Sequence, residues 1–156
     1  MFYKINDTKD FELPIDLQFE HYVQTKNYNL IFKTDEEKDI EFKRAVEQYK
    51  NLEYFNEKYS LIVPESIKEL GREGSILRHC VASYVDKITN GTSIVLFLRK
   101  KNKISEPFVT VEVDEDFNLL QVKTYGDADV EDAEVYDFLN EARRNLKKLD
   151  KISWIW

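Results

Sequence analysis

Three strand-like runs, Ser93 to Arg99, Phe108 to Val113 and Leu119 to Thr124, follow one another with only short links between them. A parallel pairing would need a crossover of about a dozen residues or more, so consecutive runs must fold back as antiparallel neighbours. The first run is apolar on both faces, as in a strand covered on both sides. The second alternates, with Val109, Val111 and Val113 on one face and Phe108, Thr110 and Glu112 on the other. The third sets Leu120 and Val122 against Gln121 and Lys123. The expected fold is α+β: a three-stranded antiparallel meander, open to extension by N-terminal strands, packed against helices.

The helices are read from caps and spacing. Thr34-Asp35-Glu36-Glu37 is a capping box, and Phe42, Ala45, Val46, Tyr49 and Leu52 recur at helical intervals behind it. The pattern predicts a helix over about 35–57. Tyr59 to Val63 is a short extended run ended by Pro64, and Glu65 to Leu70 a short helix with Gly71 near its end. A helix is predicted over about 75–89, with Leu77, Val81, Tyr84, Val85 and Ile88 inward and Asn90-Gly91 as its stop. A last helix over about 132–149 turns Val135, Phe138, Leu139, Ala142 and Leu146 inward. Phe11 to Phe19 alternates like a strand, although Pro14 weakens that reading or places the strand at an edge, and Tyr28 to Phe32 reads as another short strand. The 156 residues are expected to form one domain. It comprises an N-terminal extension (1–57), a core (58–149) and an apolar tail (150–156) that docks on the body.

The net charge of −7, from 23 basic and 30 acidic residues, opposes binding that relies on neutralising phosphates. Nucleic acid is therefore a disfavoured partner, while the charge permits a basic protein partner or mimicry of nucleic-acid charge; the bland reading is solubility. A single cysteine excludes an intramolecular disulfide. With no leader and no apolar run near the ~20 residues of a bilayer span, the cytoplasm is the expected location, without membrane association.

His79 comes first among residues that carry chemistry. On a helix it stands about 160° from Val81 at ~100° per residue, off the apolar stripe, with Ser83 and Asp86 on its side. It is either an exposed or capping histidine or a general acid/base. Cys80, at the stripe's edge, is read as a small buried hydrophobe. Tyr84 is read as core, with its hydroxyl reaching a polar partner. If the turn after the second strand spans Glu115 to Asn118, Glu112 lies opposite Gln121 and Thr110 opposite Lys123, and a one-residue slip would undo this. Such a patch is either a solvated sheet face or a site. In the site reading His79 and Glu112 are the catalytic candidates, an acid–base pair, and Tyr84, Thr110, Gln121 and Lys123 the binding candidates. Arg99, Lys100, Lys101 and Lys103 form a basic knot, read as a charged hairpin tip protecting an edge or as a contact for a phosphate or an acidic partner. Asp114-Glu115-Asp116 with Asn118 lacks the Gly and final Glu of a calcium loop. No metal or cofactor is expected.

These residues in this order resemble the PcfJ-like family, whose members occur on conjugative plasmids, phages and related bacterial mobile elements. The resemblance covers about residues 61–139 and leaves 1–57 outside. It rests on Leu61-Ile62-Val63-Pro64, Glu73-Gly74, His79-Cys80-Val81 with Tyr84, Ile88 and Gly91, Ile94 to Arg99, Pro107, Thr110-Val111-Glu112, Gln121 and Phe138-Leu139. In the family a Gly followed shortly by Asn comes after the glutamine; here the segment is Tyr125-Gly126-Asp127-Ala128-Asp129. The resemblance implies an accessory protein of a mobile element and supplies no reaction. It strengthens the reading of His79, Tyr84, Thr110, Glu112 and Gln121 as one polar constellation. Two functions are carried forward. One is an interaction module that binds a host or element-encoded protein, by inhibiting a host defence or engaging transfer machinery. The other is a small enzyme acting on nucleic acid or a nucleotide, with His79 as general acid/base.

Overall fold

Six short strands, each pairing antiparallel with the next in chain order, make one sheet: β1 (Tyr54–Phe55), β2 (Tyr59–Ile62), β3 (Ile94–Lys100), β4 (Val109–Val113), β5 (Leu119–Thr124) and β6 (Ala128–Asp129). The computed structural model describes residues 34–153, with side chains as far as residue 146. The chain partitions into two compact units, Met1–Lys38 and Asp39–Trp156; in the first, the described residues are the opening turn of helix α1. Among the described residues there are four α-helices: α1 (Asp35–Glu47), α2 (Ile67–Leu77), α3 (Val85–Thr89) and α4 (Ala133–Ser153).

The α+β class agrees with the sequence, but the expected three-stranded meander is half of the sheet. Among the described residues the additional strands come from residues 54–62 and 128–129. Phe11–Phe19 and Tyr28–Phe32 lie outside the described residues. Tyr54 and Phe55 carry little strand signal of their own; they join because they pair with Leu61 and Ser60 across a turn. In that turn the Asn56 side chain accepts from the Lys58 and Tyr59 N–H groups at 2.8 and 2.9 Å.

Alternation along the strands assigns the two faces. Tyr54, Tyr59 and Leu61 share one face, where the Tyr54 and Tyr59 rings pack on Phe138 of α4 at centroid distances of 5.8 and 5.5 Å. The inward stripe expected of that helix is observed: Val135, Phe138, Leu139 and Ala142 are buried and Leu146 packs at the edge. Arg99 and Thr110 stand on the other face, and both bond Glu73 of α2. Helices thus cover both faces, which is why β3 is buried from Ile94 through Arg99.

Two helix predictions need correction. The helix expected over 35–57 does begin with its capping box, in which Glu37 N–H donates to Thr34 Oγ1 and Thr34 N–H to the Glu37 carboxylate. It ends at Glu47. The chain then tightens, with Tyr49 N–H bonding Val46 C=O and Leu52 N–H bonding Tyr49 C=O. Val46, Tyr49 and Leu52 recur every three residues, a spacing that a three-residue turn serves as well as a helix does. Secondly, no continuous helix spans 75–89. The short helix expected over 65–70 runs through Gly71 to Leu77. After a turn, a 3-10 segment (Val81–Tyr84) leads into α3. The last helix continues to Ser153, into the tail expected to dock; residues 154–156 lie outside the described residues.

Two half-buried carboxylates give the fold an acid-sensitive margin. Hydrogen bonding by the Ile67 backbone N–H, then by Lys43, holds Asp39 below its ordinary value. The Asn118 side chain and backbone do the same for Asp114. Because the folded values lie below the unfolded ones, this stabilisation is complete above about pH 4 and is lost as pH falls through the folded values. The expected result is that Asp114→Asn melts less steeply with acid than the parent protein between about pH 5 and pH 2, followed as Tm against pH. Identical slopes would remove the role given to Asp114.

Candidate functional site

The site is built by the way α2 ends. Ser66 caps its start by accepting from Glu69 N–H at 3.1 Å. At the other end Arg78 takes a left-handed conformation at φ 53°, uncommon for a residue with a Cβ. The chain then doubles back, and His79 N–H donates to Gly74 C=O at 3.1 Å. Gly74 makes this return possible: a Cβ there would stand 3.0 Å from the His79 carbonyl oxygen and 3.4 Å from Val81 Cγ1. The expected helical position of His79 is thereby overturned. It occupies the turn after α2, and its ring points back over the sheet.

The ring has two partners. Nε2 lies 2.9 Å from Thr110 Oγ1, and the Val81 N–H donates to Nδ1 at 3.4 Å. Thr110 donates its hydroxyl proton to Glu73 Oε2 at 2.9 Å. The threonine oxygen must therefore accept from His79, which fixes the imidazole with its proton on Nε2. Behind it Glu73 is held bidentately by Arg99, at 2.6 and 3.0 Å. Glu73 and Arg99 are 1% and 5% exposed. One chain of bonds, His79–Thr110–Glu73–Arg99, runs from the partly exposed ring into the core.

A second cluster lies beside it. The β4–β5 register pairs Glu112 with Gln121 and Thr110 with Lys123, as the sequence predicted. It arises by a different route: Val113 pairs with Leu119, and an irregularity between Glu112 and Val113 restores the phase. Glu112 accepts from Ser93 Oγ at 2.6 Å and from Gln121 Nε2 at 3.1 Å. Gln121 uses its amide also to donate to Tyr84 Oη at 3.1 Å, and the Tyr84 ring packs on the core as expected. Lys123 pairs with Asp129 at 2.7 Å, and that carboxylate holds the ammonium above its ordinary value.

His79, Tyr84, Thr110, Glu112, Gln121 and Lys123 all line one small pocket of about 40 Å³, room for water-sized occupants. The constellation is thus assembled, but the expected His79–Glu112 contact is replaced by separate partners: Thr110 for one, Ser93 and Gln121 for the other. Cys80 also lines the pocket and is exposed, contrary to its reading as a buried hydrophobe, because the helix that would have turned it inward has already ended. Ser83 donates to the Cys80 carbonyl at 2.6 Å and Asp86 is exposed on α3; neither lines the pocket. Asp127, in the segment where the family's Gly and Asn are expected, does line it. It adopts φ 59° directly after Gly126 at φ 73°, a conformation that Asn and Asp tolerate better than most residues.

Sequence reasoning missed three members of the network. Arg99, assigned to a charged hairpin tip, is buried against Glu73. Glu73 itself was part of a motif without a role, and Ser93 was only the start of a strand. A signal was present. Leu70, Glu73, Gly74 and Leu77 form the buried stripe of α2, and Arg99 shares a strand face with Val95 and Phe97. Opposite charges at two core positions call for each other.

Among the described residues no group of three or more His, Cys, Asp or Glu side chains could hold a metal ion, and none of their helices is long and apolar enough to cross a membrane. The Asp114 carboxylate, considered above for calcium, bonds within its own turn to Asp116 N–H, Asn118 N–H and the Asn118 amide.

An uncharacterized Listeria innocua protein, Lin1253/Lin1744, is 28% identical over 109 residues, which is 68% of this chain and 23% of that protein's length. No solved structure matches the chain. The family model described as PcfJ-like protein matches residues 1–134, taking in the N-terminal region that the motifs had left outside. That match spans well over half of the sequence, and the chain belongs to the PcfJ-like protein family.

Proposed function

We propose that this chain is a cytoplasmic accessory protein of a bacterial mobile element that acts by binding a protein rather than by catalysis. Inhibition of a host defence protein and engagement of the element's transfer machinery are the two roles that fit such a module. The observation that carries the reading is the closure of the polar network. Both nitrogens of His79 are engaged, one as donor to Thr110 and one as acceptor from Val81. Both Glu112 oxygens are engaged as well. A general base needs a lone pair directed at substrate, and here the imidazole lone pair faces a backbone N–H. A satisfied network of this kind fixes a unique local structure, with the partner bound on the outer surface.

The enzymatic reading keeps one observation in its favour: His79, Cys80, Glu112 and Lys123 line the same open pocket. Complementation of an element lacking the gene separates the two, read as transfer frequency or phage yield. Folded His79→Gln and Glu112→Gln variants are expected to complement within about threefold of the parent. Loss of acid–base catalysis would lower the output by roughly a hundredfold or more. Such a loss in both variants, with melting curves unchanged, would establish the enzyme instead.

A further inference from the structure

We propose that the end of the sheet formed by the β1–β2 turn and the β3–β4 link is a docking surface for an acidic, apolar-anchored segment of a partner protein. The inference rests on the reading of the chain as a protein-binding module and gives that module a surface. Two hairpin ends meet here, joined by a hydrogen bond from Lys101 N–H to the Lys58 carbonyl at 2.8 Å. They bring Lys58, Lys100 and Lys101, with Glu57 as the one acidic side chain of the lining, around a shallow depression of about 380 Å³. Beside it Phe55 is 69% exposed, the most open large apolar side chain among the described residues. The Lys101 ammonium lies 4.2 Å from the centre of its ring.

This concentration of positive charge stands out on a chain whose net charge is −7. Carboxylates on a short segment would find Lys100 and Lys101, while Lys58 already pairs with Glu134 at 3.1 Å. The exposed part of Phe55 would take an apolar side chain from the same segment. An exposed aromatic is what interface centres favour, and the lysines beside Phe55 would form the polar rim around it.

A nucleic acid suits the surface less well. The one arginine of this stretch, Arg99, is turned into the core against Glu73. The depression is therefore lined by ammonium groups rather than a guanidinium fork, and Arg72, which reaches the β3–β4 link from α2, already donates to the Ser105 carbonyl at 2.9 Å. One side of the Phe55 ring is covered by Lys101, which hinders stacking of successive bases. A longer polyanion would also run on to a surface of its own sign.

The test uses the full chain with a fluorescein-labelled Glu-rich peptide carrying one central Phe, and labelled oligothymidylate as the competing probe, followed by anisotropy. The peptide is expected to bind saturably and more weakly as salt rises. Lys100→Glu, Lys101→Glu and Phe55→Ala are each expected to weaken it by about tenfold, with Lys68→Glu, an equal charge change on α2, leaving it within about twofold. All these side chains are exposed, so the variants should fold, and circular dichroism checks that they do. Absence of peptide binding, equal weakening by Lys68→Glu, or tighter binding of oligothymidylate through the same residues would each overturn the assignment. Those results leave the complementation by His79→Gln and Glu112→Gln untouched, so failure of this surface and failure of the binding-module reading are told apart.

Discussion

Glu73→Ala is expected to lower the unfolding free energy by about 3–5 kcal/mol, the usual consequence of leaving one half of a buried ion pair behind. The carboxylate is 1% exposed and meets Arg99 through two bonds and Thr110 through a third. Its removal leaves a guanidinium in the core with the Leu98 carbonyl, at 3.4 Å, as its remaining hydrogen-bond acceptor and the centre of the Phe97 ring 4.8 Å away. It also deprives the Thr110 hydroxyl of its acceptor. A domain of this size has a total stability of roughly 5–15 kcal/mol, so the variant loses about a fifth of it or more. Urea unfolding followed by tryptophan fluorescence and circular dichroism measures this. A loss under about 1 kcal/mol would place the pair in the class of solvated surface bridges.

Replacing both partners should do less harm than removing one. Glu73→Leu with Arg99→Met fills the space with apolar groups and leaves no charge to desolvate, a change that is often neutral or stabilising for buried pairs. The double variant is therefore expected to be more stable than Glu73→Ala, while the His79 ring loses the threonine orientation that the carboxylate imposed. Stability and placement of the imidazole separate in this pair of variants. An NMR experiment on the ring nitrogens would show the Nε2-protonated tautomer in the parent and a mixed population in the double variant.

What was legible in the sequence followed from local periodicity. The β4–β5 register could be read because one face of each strand is buried, and a slip would have placed Val111 and Val122 in water. The helix over 75–89 misled for the same reason. Leu77, Val81, Tyr84, Val85 and Ile88 have helical spacing, and a 3-10 turn followed by a short α-helix buries Leu77, Val81 and Ile88 without continuity. The interruption is the left-handed residue Arg78, and nothing in an arginine announces that conformation. The strands β1 and β6 exist through pairing, and two residues have no period to detect. Glu73 and Arg99 lie 26 positions apart, beyond any local pattern, and only their shared anomaly as charges on buried faces joins them. The pocket was legible as a list of residues but not as a set of bonds, because those bonds depend on where α2 stops.

That stopping point is tested by two glycines of one helix, whose replacement should act with opposite signs. Gly71→Ala meets nothing within 4 Å. It gains the helical preference of alanine, expected to stabilise by up to about 1 kcal/mol. Gly74→Ala gains the same preference but drives a Cβ to 3.0 Å from the His79 carbonyl oxygen and 3.5 Å from Ala82 N. Both are backbone atoms, and the peptide carrying the oxygen is already held by the turn at Arg78, so relief requires the turn to move. The overpacking penalty of about 1–3 kcal/mol outweighs the propensity gain, for an expected net loss of about 1–2 kcal/mol, and Gly74→Val should lose more. The displacement falls on His79, so the Thr110 contact should lengthen as stability drops. Thermal unfolding of the two alanine variants side by side provides the check. A stabilising Gly74→Ala would mean that the turn has slack, and that the Glu73-Gly74 and His79-Cys80-Val81 motifs are not one mechanical unit.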